Sequence, residues 1–254
     1  MSQVSIYIPP DSDDLRSNIN KLRLLTLELR ELKDSFHERV NYVKARETEL
    51  LKHAGVPKPV FSANLLSDDF ADVQLNLFAK CYFFVLKQYA DRLLHTCYLL
   101  RGPLGYDKVR NSLCDASLSG KLTAFMEKLH ACDIDYDPDL LAELRACNDL
   151  LIVTRITRNS IKTLATVRVL LVNNEEARII VPIVYGDEKQ RRNYAKLLSL
   201  LDTNLSATGE NLKNFIFPTM FMDQAFDIAK HSTDVITEKV RAVAPEQVPT
   251  MPHA

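Results

Sequence analysis

The sequence predicts a mainly α-helical fold: a helical bundle with a long N-terminal helix and one small β-hairpin. Three observations predict it. Only 6 glycines and no tryptophan occur in 254 residues, which disfavours glycine-rich nucleotide-binding folds and turn-dense β-barrels. Apolar residues recur at steps of three and four along most of the chain, the period of a helix with one buried face. Sustained alternation with a period of two is confined to one stretch near residues 165–184, where it reads as paired strands.

The elements follow in order. Val4 to Ile8 alternate and then meet Pro9-Pro10, giving a short strand or extended arm. Asp11 and Ser12 are good N-caps for a helix, and Asp13 and Asp14 place negative charge in its first turn. Leu15, Ile19, Leu22, Leu25, Leu29, Leu32, Phe36, Val40 and Val43 then form a heptad-like, coiled-coil-type seam. Gly55 and Pro57 end the helix, with Lys52 and His53 in its last turn. After an aperiodic, proline-bearing loop, Ser67 to Asp69 reopen a helix that reaches Gly102-Pro103. Its stretch from Phe78 to Leu86 is apolar nearly all round, as in a central core helix, with Phe83 and Phe84 as core residues.

Shorter helices are expected from Leu104 to Cys132, and Asp137-Pro138 starts another that carries the pattern to Ile156. Val167 to Val172 and Ala177 to Val184, joined through Asn173-Asn174, form the hairpin. Pro182 makes the second strand an edge strand or ends its pairing. A final helical region is expected from Asp187, broken at Pro218 and resuming to Val243. This punctuation divides the chain into an N-terminal arm and helix over 1–55, a helical bundle with hairpin over 56–243, and an extended tail over 244–254.

Charge and cysteine usage bound the function. With 32 basic against 33 acidic residues the formal net charge is −1, so the chain does not hold nucleic acid by bulk charge. The N-terminus lacks the basic and apolar regions of a secretory signal, and no run has the apolar length of a membrane span. The five cysteines, Cys81, Cys97, Cys114, Cys132 and Cys147, include no C-x-x-C pair. They read as reduced thiols rather than disulfides or zinc ligands. The expected location is the cytoplasm, or a complex assembled inside the cell.

Several constellations bear on chemistry. Asp133, Asp135, Asp137 and Asp139 alternate as in a calcium loop, but Pro138 falls where that loop needs glycine and Leu144 where it needs glutamate. They read as an acidic interhelical loop. Arg155, Arg158 and Lys162 share one helical face, and Arg191 and Arg192 lie in a second basic group beyond the hairpin. Together they are candidates for binding an anion or an acidic partner. Arg46 and His53 have six residues between them. That spacing is similar to the R-x(4–6)-H motif of HEPN-type ribonucleases, where histidine moves protons and arginine steadies phosphate. The likeness implies an RNA-cleaving or RNA-binding alternative, with Arg46 and His53 as its catalytic pair. No phosphate-binding loop, dinucleotide fingerprint, zinc-protease or nucleophile-elbow motif occurs.

The primary expectation is therefore a non-enzymatic structural subunit of a larger assembly. It would self-associate or bind other protein subunits through helical surfaces, with no cofactor and no metal. Leu24 and Leu27, off the main stripe of the first helix, are its interface candidates. A membrane-inserting helical protein is a second alternative, opposed by Arg168 and Arg178 inside the hairpin.

Overall fold

A computed structural model describes residues 12–55, 69–100, 139–140, 157, 161, 167–172, 176–182 and 214–248. Three helices, α1 (Ser12–Ala54), α2 (Asp69–Leu99) and α3 (Met220–Val243), accompany strands β1 (Arg168–Val172), β2 (Glu176–Pro182) and β3 (Asn214–Pro218). The fold is mainly helical, with the long N-terminal helix and the hairpin both present.

Local signals account for the helix ends. Asp13 and Asp14 occupy the first turn of α1, where the helix dipole favours anions, and Lys52 and His53 occupy its last. Gly55 follows with φ of 60°, the left-handed conformation that closes a helix and that glycine adopts without a Cβ penalty.

The chain divides into two compact units. One comprises 1–27, 88–151 and 227–254, the other 28–87 and 152–226. In the first unit, Leu15, Ile19 and Leu22 of α1, Leu93, Leu94 and Cys97 of α2, and Ala229, Ile236 and Val240 of α3 are buried. Polar groups on these helices find partners. Tyr89 donates to the Ala229 carbonyl at 2.6 Å and lies 3.1 Å from the Thr233 hydroxyl, which lies 3.1 Å from that of Thr26. Thr26 and Thr233 also return a bond to the carbonyl four residues back, which keeps each hydroxyl satisfied inside a helix. Arg92 donates to the Asn18 side-chain oxygen, and Asn18 donates to the Asp14 carbonyl.

In the second unit, Leu29, Phe36, Val40 and Val43 of α1 are buried, as are Leu75, Ala79, Tyr82, Phe83 and Leu86 of α2. Phe83 stacks on Phe221 with centroids 5.9 Å apart, and Tyr82 donates to the Met222 carbonyl at 2.6 Å. The strands form an antiparallel sheet in the order β1-β2-β3. Val167, Val169, Ala177, Ile179 and Val181 are buried, Arg168 is exposed, and Arg178 and Ile180 are half-buried, so one face of the hairpin packs inward. The Val169 N–H donates to the Asn76 side-chain oxygen at 2.8 Å, so a side chain of α2 satisfies a donor on the outer edge of β1.

Several expectations change. Asn214–Pro218, expected as helix, is a strand pairing with β2. Five residues with the run Phe-Ile-Phe are too few for period to distinguish strand from helix. β2 is the central strand, so Pro182 does not mark an edge; it takes the last position, where its missing N–H ends the ladder. Leu25 and Leu32 are half-buried rather than buried. Phe84 is half-buried while Phe83 is fully buried. The tail does not begin extended: Pro245–Gln247 is a single 3-10 turn, with Ala244, Gln247 and Val248 buried around it. The expected N-terminal arm and the helices between residues 104 and 132 lie outside the described residues.

Candidate functional site

α1 presents two stretches of exposed chemistry, one in each unit. In the first unit its buried line passes through Leu15, Ile19 and Leu22, leaving Leu24 50% exposed and Leu27 half-buried. Of the two interface candidates, Leu24 is the one whose apolar surface the described fold does not use.

In the second unit a row of residues at 39, 42, 46, 49 and 53 follows steps of three and four and shares one face of α1. Arg39 lies over the ring of Tyr42, its guanidinium carbon 4.7 Å from the centroid, as in a cation–π pair. The Tyr42 residue is 49% exposed. Arg39 Nε is buried without a hydrogen-bond partner. Arg46 is half-buried and His53 exposed, one turn pair further along the same face. The R-x(6)-H pair is thus brought to one face, as its seven-residue separation requires.

A charged cluster that the sequence reading did not single out ties α1 to α3. Asp223 Oδ1 lies 3.1 Å from His37 Nε2 and 3.4 Å from Lys33 Nζ, and Lys33 lies 2.9 Å from Asp34. A carboxylate only accepts, so this bond places a proton on His37 Nε2. The Lys33 ammonium is 5.2 Å from the Phe226 ring centroid. Its hydrogen bond to Asp34, first, and the charges of Asp34 and Asp223 raise its pKa above the ordinary 10.5, against the pull of burial. Among the described residues no hydroxyl or thiol is hydrogen-bonded to this cluster. The histidine–aspartate pair, its carboxylate shared by lysine, clamps α1 to α3. The missed signal is the heptad line 19, 26, 33, 40, 47, which puts Lys33 against α3 although lysine suggests solvent.

That line ends on Glu47, which is 1% exposed with neither carboxyl oxygen hydrogen-bonded. Among the described residues no group of histidine, cysteine and carboxylate side chains is placed to hold a metal ion. Neither Cys81 nor Cys97 forms a disulfide. Asp139, the one described member of the aspartate cluster, is exposed and receives Lys239 at 2.7 Å. Arg155, Arg158, Lys162, Arg191 and Arg192 lie outside the described residues. No described helix is long and apolar enough to cross a membrane. Compared with family models, curated proteins and solved structures, the chain matches none.

Proposed function

We propose that this chain is a non-enzymatic structural subunit that self-associates through the outer face of α1. One observation carries the reading: Leu24 is half exposed on a helix whose buried line is already complete beside it. An exposed leucine alone is ordinary. Here it lies next to the half-buried Leu27, so the two extend the apolar stripe of α1 around the helix towards solvent. Association through helical faces is the use such a stripe supports. The five cysteines, odd in number and without a C-x-x-C pair, support placing the assembly in the cytoplasm or in a complex formed inside the cell. Cofactors have no part in this reading.

Sedimentation velocity over a range of concentrations tests it. The expected result is a species heavier than the 28.9 kDa chain that grows with concentration. A single 28.9 kDa species up to tens of micromolar would overturn self-association.

A further inference from the structure

We propose that the face of α1 bearing Arg39, Tyr42, Arg46 and His53 binds a single-stranded nucleic acid. The proposal is independent of the assembly reading, which uses the Leu24 stretch of the helix.

Arg39 carries it. Its guanidinium carbon lies 4.7 Å from the Tyr42 ring centroid, a cation–π contact. Its Nε is buried without a hydrogen-bond partner. An arginine held against an exposed ring keeps its guanidinium oriented for a phosphate, which its two terminal nitrogens can take bidentately. Tyr42 supplies the second half of the recognition. With 49% of its surface exposed, it offers ring area beside the arginine on which a base can stack. Arg46, already engaged in the fold, and the exposed His53 continue the row towards the C-terminal end, with Lys52 beside them. From Arg39 to His53 the row spans about 21 Å of helix axis, enough for several successive phosphates.

The charge distribution localises the site. Between residues 39 and 54 α1 carries Arg39, Lys44, Arg46 and Lys52 against Glu47 and Glu49, whereas between 28 and 38 it carries Glu28, Glu31, Asp34 and Glu38 against Arg30 and Lys33. Binding is therefore confined to the basic half, and Glu49 within the row keeps it weak and salt-sensitive. An acidic protein would use the same cations but has no need of Tyr42. The stacked, half-exposed aromatic is what favours bases. Cleavage is no part of the proposal.

Fluorescence anisotropy of the full chain with labelled oligouridine RNA, and in parallel oligothymidine DNA, between about 50 and 200 mM salt tests the proposal. Binding that weakens with salt is expected, and the two oligonucleotides show which sugar the face prefers. Arg39→Ala should reduce the salt slope by about one. Tyr42→Ala should weaken binding by about fivefold or more, and Tyr42→Phe should restore it. Arg30→Ala, exposed on the same helix outside the row, should change nothing. Circular dichroism on each variant confirms that it folds. Wild-type chain that binds neither oligonucleotide at the lowest salt overturns the proposal. So does an unchanged affinity in folded Tyr42→Ala, which would make the face a plain cationic surface open to acidic proteins.

Discussion

Glu47 sits on the buried line of α1, one heptad beyond Val40, with both carboxyl oxygens unpaired. A buried polar group left without a partner costs roughly 1–3 kcal/mol. Glu47→Leu, of similar volume, should therefore stabilise the chain by about 1–3 kcal/mol in chemical denaturation; a less stable folded variant would show that the carboxyl is held by something essential. Phe83, fully buried on Phe221, should behave oppositely. Phe83→Ala should destabilise by about 3–5 kcal/mol, and a loss below about 1 kcal/mol would mean that the stack contributes little. His95 sets a pH dependence. Burial, first, and the Arg92 and Lys21 charges lower its pKa below the ordinary 6.5, with Asp14 opposing. A base with a lowered pKa binds its proton less well in the folded chain than in the unfolded one. The stability it contributes is complete above 6.5 and is lost as pH falls from 6.5 towards the folded value. His95→Gln should flatten the fall in melting temperature between about pH 7.5 and 5.5, and an equal fall in both proteins would remove His95 as its source.

Among the elements, α1 was the most legible in the sequence, because its signals are local. Two acids in the first turn, a repeating apolar seam and Gly55 followed by Pro57 state where it begins, which way it faces and where it stops. The hairpin was legible for the same reason: β1 and β2 alternate and are close in sequence. β3 was not, since its pairing with β2 depends on residues more than thirty positions away and its five-residue run has no resolvable period. The clamp of Lys33, His37 and Asp223 was hidden likewise, joining positions 186 apart through charged side chains that sequence reading assigns to solvent. Of the candidate sites, the Arg46–His53 row and the Leu24 face followed from helical spacing alone; the Arg39–Tyr42 stack also has legible spacing, but only coordinates show the arginine Nε buried without a hydrogen-bond partner. Tyrosines of α2 fasten it to α3 through their hydroxyls. Tyr82→Phe keeps the ring but leaves the Met222 carbonyl without that donor, so a loss of about 1–2 kcal/mol in thermal or chemical unfolding is expected. No loss would mean that the carbonyl is satisfied without the tyrosine.

At the scale of the whole molecule, the three helices complete their interiors with residues that leave Leu24 outside. Leu27 is half-buried, so a substitution there perturbs fold and surface together, whereas Leu24 separates the two. An exposed position tolerates charge in the folded chain, but a charge placed inside an apolar interface is left desolvated. The decisive measurement is sedimentation velocity on Leu24→Glu beside the unaltered chain, with circular dichroism melts of both. If α1 associates through this face, the variant should sediment lighter at equal concentration and keep the melt of the folded protein. An unchanged sedimentation profile with an unchanged melt would contradict the account, because Leu24 would then face only solvent.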